Sequence, residues 1–278
     1  MLKNRHRNIL ASLVVVVLVG CSMIVQLSVG DFPVDIFRFP LNVIILLGWC
    51  YLLYELYRNR QRNVLAQYML STEATILSVI LLIAGCVIAG LQRHPATTSY
   101  PFVVSLFFVL SQLTMVVLRG WRNAQGIRWR FLCNHVGLWL AVGAGFWGAP
   151  DTDVMRLMVV ADVPNSRAYH TDGRTTMLDY EMILADFRVD MYDNGTPMAY
   201  EADVVVDDKR VTLAVNHPYS RTIAEDIYLV GYEPYADGMA CIVQVVRQPW
   251  KWVMAAGIVM LIAGAVMMFV QGSKRHSV

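Results

Sequence analysis

Charge is scarce in this chain: only 16% of its 278 residues are Asp, Glu, Lys or Arg, against 56% hydrophobic residues. That balance excludes an ordinary soluble globular protein and points to an integral membrane protein. Cysteine pairs are lacking as well. Of five cysteines, Cys21, Cys50, Cys86 and Cys133 fall inside apolar runs and only Cys241 lies in polar sequence. A disulfide framework is therefore excluded, and without a Cys-x-x-Cys there is no redox dithiol or zinc knuckle. Gly-x-Ser-x-Gly, Gly-x-Gly-x-x-Gly and the Walker loop are all missing, so the usual soluble enzyme signatures are absent. No inverted repeat or pair of broken helices argues for a transporter.

The small net charge of +2 hides a division. Between Asp151 and Lys251 there are 17 acidic and 9 basic residues, whereas the rest of the chain holds 4 acidic and 14 basic ones. Those basic residues flank apolar runs, which leaves no basic face for a nucleic acid.

The apolar runs predict six transmembrane helices, at about residues 9–27, 41–57, 75–91, 100–118 and 131–147 and a last one within 251–278, each near the ~17–25 residues that cross a bilayer. Leu18-Val19-Gly20-Cys21 has the form of a bacterial lipobox, but the run continues apolar from Ser22 to Leu27, as in an ordinary first span. If the N-terminus is cytoplasmic, the inner flanks carry Lys3, Arg5, Arg7, Arg58, Arg60, Arg62, Arg119, Arg122, Arg128, Arg130, Lys274 and Arg275. The two short outer loops carry only Arg38 and Arg93. This bias predicts both termini inside and residues 148–251 outside the cytoplasmic membrane.

The outer segment, about residues 151–250, has short β-rich runs: Val154 to Val160, Ile183 to Tyr192, Ala202 to Val206, Val211 to Val215, Asp226 to Tyr232 and Met239 to Val246. Asp207-Asp208-Lys209 between two alternating runs reads as a hairpin turn. The fold class expected is thus an α-helical membrane protein with an extracytoplasmic all-β domain, a sandwich or open barrel, inserted before the last helix.

The fifth span holds an ionisable residue, His135, and such a residue inside a membrane is costly enough to raise a functional question. Phe131, His135, Trp139, Val142 and Phe146 recur at helical spacing, and Gly137, Ala141, Ala144 and Gly148 form a small-residue stripe suited to helix packing. Two readings stand side by side. His135 is a neutral histidine bonded to a neighbouring helix, or it is an axial ligand to a haem iron beside a ring-lined wall. His94, His170 and His217 lie in loops or at strand ends without a second ligand at metal-binding spacing, and His6 and His276 belong to charged tails.

Several motifs, in order, resemble the ResB (CcsB) proteins of cytochrome c biogenesis. They are Thr98-Ser99-Tyr100-Pro101-Phe102-Val103-Val104 leading to Val117-Leu118-Arg119-Gly120, and Asn134-His135-Val136-Gly137-Leu138. Ala185-Asp186-Phe187-Arg188-Val189, Tyr200-Glu201-Ala202-Asp203-Val204, Val215-Asn216-His217-Pro218, Ile227-Tyr228 and Arg247-Gln248-Pro249-Trp250 continue the series. The resemblance spans roughly residues 75 to 270. It implies a haem-handling and scaffolding subunit of a System II haem-attachment complex in a bacterial inner membrane, not an enzyme alone. It implies a CcsA-type membrane partner and apocytochrome c as further partners. His135 matches the family's inner haem ligand, with Phe131, Trp139, Arg128 and Arg130 as the surrounding candidates, the arginines facing haem propionates. The tryptophan-rich segment and outer histidine pair of the CcsA half are absent. The alternative reading is a membrane-anchored ligand-binding or sensor module with an extracytoplasmic β domain.

Overall fold

The computed structural model describes residues 2–91, 98–124, 126–235 and 238–270. Arg93, His94, Lys274, Arg275 and His276 lie outside the described residues. Two compact units divide the chain: residues 1–150 together with 253–278, and residues 151–252.

The first unit is helical: α1 (Leu2–Val29), α2 (Leu41–Arg58), α3 (Val64–Met69), α4 (Thr72–Leu91), α5 (Tyr100–Gly120), α6 (Trp129–Gly148) and α7 (Lys251–Val270). Local chemistry sets the boundaries. Pro101 sits in the first turn of α5, where a missing N–H costs nothing. Asn63 caps α3, its Oδ1 accepting from the backbone N–H groups of Leu65 and Ala66 at 2.9 and 3.2 Å. Between α5 and α6 the chain reverses through a two-stranded ribbon, β1 (Arg122–Asn123) and β2 (Gly126–Ile127). Gly126 takes a φ of +115° at that reversal, a conformation open to glycine.

Five of these helices are long and apolar enough to cross a membrane: α1 from Arg5, α2, α4, α5 and α7. The fifth predicted span, α6, is not among them by composition; Arg130, Asn134, His135 and four glycines dilute it. Its 20 residues are nonetheless about 30 Å long at ~1.5 Å per residue, enough to traverse the bundle. α6 runs beside α5 from Gly120, at the α5 C-terminus, to the start of α2, where the Asn42 amide donates to the Trp147 carbonyl at 2.9 Å.

α5 is the central helix, packed against α1, α2, α4 and α6. Its polar side chains point at neighbours. The Trp49 indole of α2 donates to Ser111 Oγ at 3.0 Å, and Gln112 accepts from Ser78 Oγ at 3.2 Å while its amide donates to Thr75 Oγ1 at 2.8 Å. At one end of the bundle, Arg7 donates to Gln67 and Arg119 to the Leu70 carbonyl. The described arginines of the predicted inner flanks gather at this end; at the other, the Phe32 amide donates to the Thr98 carbonyl and the Tyr100 amide to Gln26.

The second unit is one eight-stranded antiparallel sheet in the order β7-β6-β5-β4-β3-β10-β9-β8. Its strands are β3 (Asp153–Val159), β4 (Asn165–His170), β5 (Thr175–Met191), β6 (Pro197–Val206), β7 (Lys209–Ala214), β8 (Tyr219–Thr222), β9 (Glu225–Tyr235) and β10 (Gly238–Arg247). The 17-residue β5 pairs with β4 up to Met182 and with β6 beyond it, and a bulge falls between Leu184 and Asp186. The sheet curls until edge strand β7 meets β8 and β9, so the form is the open barrel. Alternate residues of each strand fill the interior, among them Met155, Leu157 and Val159 of β3, Val204 and Val206 of β6, and Cys241, Val243 and Val245 of β10. Burial pushes the Cys241 thiol up to about 12, which leaves it inert.

The predicted turn at Asp207-Asp208 is the two-residue loop between β6 and β7, with Val206 opposite Lys209. Both aspartates have positive φ, 49° and 61°, as a type I′ turn requires. The first and last strands of the unit, β3 and β10, are neighbours, with Asp153 opposite Arg247, so chain entry and exit share one end of the sheet. That end is fastened: the Trp250 indole donates to Asp151 at 2.7 Å, the Gln248 amide donates to the Ala224 carbonyl, and Lys251 pairs with Asp226.

Candidate functional site

His135 stands in the second turn of α6, and the helix start that positions it depends on a bare glycine. A Cβ on Gly120 would lie 2.2 Å from Phe131 Cζ, so only glycine lets the Phe131 ring fold over the end of α5. The Arg128 amide donates to the Trp121 carbonyl at 3.0 Å, and its guanidinium donates to the Gly120 carbonyl at 3.3 Å. The same guanidinium lies 4.9 Å from the centroid of the Phe131 ring. Phe131 stacks in turn on the His135 imidazole, with centroids 4.0 Å apart and planes 19° off parallel.

One hydrogen bond decides the chemistry of the imidazole. His135 Nδ1 is 3.0 Å from the Phe131 carbonyl oxygen. A carbonyl only accepts, so Nδ1 carries the proton, and in the neutral ring the Nε2 lone pair is the one left for a ligand. A backbone partner that fixes the tautomer and orients the ring in this way is what metal-binding histidines use.

His135 borders two hollows. The larger, about 610 Å³, is walled by Arg128, which precedes α6, and by Arg130, Phe131, Asn134 and His135 of α6 with Met267 and Met268 of α7. The smaller, about 160 Å³, lies between α4, α5 and α6 and reaches Thr75, Ser78, Gln112 and Leu138. α7 is held against this site through glycines. A Cβ on Gly264 would lie 2.7 Å from Asn134 Oδ1, and one on Gly257 would lie 2.5 Å from the Ala141 nitrogen and 2.7 Å from the Gly137 oxygen. The Gly137–Ala141 part of the small-residue stripe therefore faces α7 at backbone contact. Asn134 donates to the Arg130 carbonyl at 2.8 Å and lies 3.5 Å from Met268 Sδ.

The residues singled out from sequence divide. Arg128, Arg130, Phe131 and His135 share the larger hollow. Trp139 lines neither hollow; its indole donates to Thr114 Oγ1 of α5 at 2.8 Å. Val142 and Phe146 lie toward the far end of α6, lining a separate apolar cavity of about 380 Å³ with Phe102, Phe107 and Trp147. Asn134, Met267 and Met268 are additions from the structure. Among the other histidines, His170 shares a 2.8 Å hydrogen bond with Thr176, and His217 is exposed in the β7–β8 turn. No group of three or more His, Cys, Asp and Glu able to hold a metal ion occurs among the described residues.

A model of the ResB-like family matches residues 125–243. Over that stretch the chain is ResB-like. The match begins in the β1–β2 ribbon, takes in all of α6 with His135, and ends inside β10, so it joins the candidate site to the β unit in one family segment. No curated protein matches the chain. A ResB-like segment implies a role in cytochrome c biogenesis. The chain joins helices long and apolar enough to cross a membrane to a separate compact β unit. Within the ResB-like segment, Asn134 and His135 are the adjacent polar pair of α6, one directed at α7 and the other at both hollows.

Proposed function

We propose that this chain is the haem-handling and scaffolding subunit of a c-type cytochrome maturation complex, working with a CcsA-type membrane partner to deliver haem to apocytochrome c. The observation that carries the reading is the His135 imidazole, its Nδ1 committed to the Phe131 carbonyl and its Nε2 left over beside a hollow that also holds two arginines. Haem is flat and apolar over its faces and anionic at its propionates. A 610 Å³ hollow with a stacked ring, thioethers and guanidiniums fits those demands.

In this reading His135 Nε2 would bind the iron, Phe131 would flank the macrocycle, and Arg128 and Arg130 would meet the propionates. Haem, when bound, would supply a redox-active iron; the chain's His135, Phe131, Arg128 and Arg130 would supply orientation and charge. Trp139 serves from outside the hollow, holding α6 to α5 through Thr114. The concentration of arginines at the site's end of the bundle supports a cytoplasmic placement for that end in a bacterial inner membrane, with both termini inside and residues 148–251 outside.

The test is the visible absorption of the purified full chain, alone and co-expressed with its partner. Wild-type protein is expected to carry a haem Soret band, His135→Ala to lose most of it, and added imidazole to restore part of it. An undiminished band in folded His135→Ala would remove the residue from the site. Normal c-type cytochrome maturation in cells lacking the gene would favour a membrane-anchored ligand-binding or sensor module instead.

A further inference from the structure

We propose that the turn from Arg58 to Asn63 binds the phosphate of an anionic phospholipid. The turn is built rather than loose. The Asn59 amide donates to the Glu55 carbonyl at 3.1 Å, Arg60 to Tyr57 at 3.2 Å, Arg62 to Asn59 at 3.0 Å, and Asn63 again to Asn59 at 3.1 Å. The Gln67 side chain donates to the Gln61 carbonyl at 2.9 Å and pins the turn to α3. So closed, Arg58-Asn59-Arg60-Gln61-Arg62 encircles a hollow of about 340 Å³ walled by these five residues.

Three arginines line this hollow with too little negative charge to balance them. Glu55 takes Arg58 at 2.9 Å. Arg60 lies 4.3 Å from the Tyr57 ring centroid and donates to the Tyr57 carbonyl, contacts that orient the guanidinium without neutralising it. Neither Arg60 nor Arg62 meets a carboxylate among the described residues. Fork-shaped donors around one hollow suit a phosphate, which accepts two parallel N–H bonds from a guanidinium.

The surroundings select a lipid over a soluble phosphate. The turn sits where the apolar span of α2 ends, flanked by exposed Tyr51 and Tyr54 on one side and exposed Val64 and Leu65 on the other. Tyrosines at the end of a span mark the depth of the headgroups, and exposed apolar side chains beside a cationic hollow offer contact to the acyl chains of the molecule whose phosphate is held.

The experiment titrates the purified full chain in detergent with phosphatidylglycerol or phosphatidylcholine and counts retained lipids by native mass spectrometry. Wild type is expected to retain phosphatidylglycerol preferentially. Arg60→Gln with Arg62→Gln should weaken that retention about 25-fold, the product of the roughly fivefold that each cation supplies at an anionic surface. Arg122→Gln, which removes a charge at the same end of the bundle, should leave it unchanged. Arg60→Lys with Arg62→Lys keeps charge but loses the fork, and should fall between; it decides the matter if the glutamine pair does not fold. Equal losses in Arg122→Gln and the paired variants would overturn the site in favour of diffuse charge. Displacement of phosphatidylglycerol by millimolar inorganic phosphate would overturn the lipid in favour of a soluble anion.

Discussion

The two units of this protein solve burial in opposite ways. The β unit encloses a core of Val, Leu, Met and Cys side chains and keeps its charges in ion-pair networks at the sheet surface and edges. The helical unit turns large apolar side chains outward: Leu10, Leu13, Ile44, Ile80, Ile83, Val259 and Ile262 are all exposed. Between its helices it places, beside an apolar cluster around Leu53, Tyr68, Met69 and Met115, glycine, serine, threonine, glutamine and indole N–H. Where lipid replaces water, two leucines gain little by meeting, so close backbone approach and interhelical hydrogen bonds hold the bundle instead. In the β unit removal of apolar area from water remains the driving force.

The sharpest way to break this contrast is a single methyl group. In Gly257→Ala the new Cβ would stand 2.5 Å from the backbone nitrogen of Ala141, an obstacle that cannot rotate away. α7 must shift off α6, at a cost at or above the roughly 1–3 kcal/mol of ordinary overpacking. The expected outcome is loss of monodisperse full-length protein by size-exclusion chromatography in detergent. Gly48→Ala, whose Cβ would meet nothing within 4 Å, and Gly231→Ala in β9, whose nearest neighbour would be Ile242 at 3.7 Å, should behave as wild type. If all three elute alike, glycine contact is not what holds α7.

The next prediction works on the β unit through its charges. Asp203, in β6, accepts from Arg188, Thr212 and Arg210, the last two at 2.7 and 2.9 Å, and these donors hold its carboxyl well below the usual carboxylate range. The Asp226 carboxyl is pushed up by burial, yet the Lys251 and Ser220 hydrogen bonds outweigh that and hold it low as well. A depressed native pKa means that the stability these groups contribute is present in full above the unfolded value, near ~3.9 for Asp, and is lost as pH falls below it. The β unit should therefore melt at progressively lower temperature as pH drops from about 5 toward 2. Asp203→Asn, which strips Arg188 and Arg210 of their shared carboxylate, should cost about 1–3 kcal/mol at neutral pH. The same variant should flatten the acid slope measured by circular dichroism. An acid slope as steep as wild type would show that Asp203 does not carry it.

How much of this was legible beforehand follows the same division. Five of the six predicted spans were readable because each is a long apolar run with a basic residue near at least one end, and the β6–β7 turn because Asp207-Asp208 sits between two alternating strands. α3 was not, since six residues are too few to display a helical period. β4 escaped because only Ala168 of its six residues is fully buried, leaving no alternation to see, and β8 is four residues long. At the candidate site the spacing Phe131, His135, Trp139 placed three rings on one face. Each step of four residues advances about 40° beyond a full turn, so Trp139 is rotated roughly 80° from Phe131, far enough to meet α5 instead of the hollow. Met267 and Met268 carry no sequence signal at all; a thioether in an apolar helix reads as lipid-facing until another helix is seen beside it.

The smallest expected effect tests the helical side of the contrast most directly. Gln112 is 3% exposed in the middle of α5, accepting from Ser78 and donating to Thr75, both on α4. In a water-soluble core, deletion of such a partner would strand two buried hydroxyls. Here both have a second outlet: Ser78 Oγ also donates to the Thr75 carbonyl at 2.9 Å, and Thr75 Oγ1 to the Ser71 carbonyl at 3.1 Å. Gln112→Leu should then cost only about 0.6 kcal/mol, the average for interhelical hydrogen bonds inside a membrane. Thermal unfolding in detergent reads the cost, and a loss of several kcal/mol would mean that this bond is a main fastening of α4 to α5. The same variant also removes an amide from the wall of the smaller hollow beside His135, so its haem absorption should be measured with it. An unchanged band would assign Gln112 to packing alone, and a diminished one would make it a positioning residue for the imidazole.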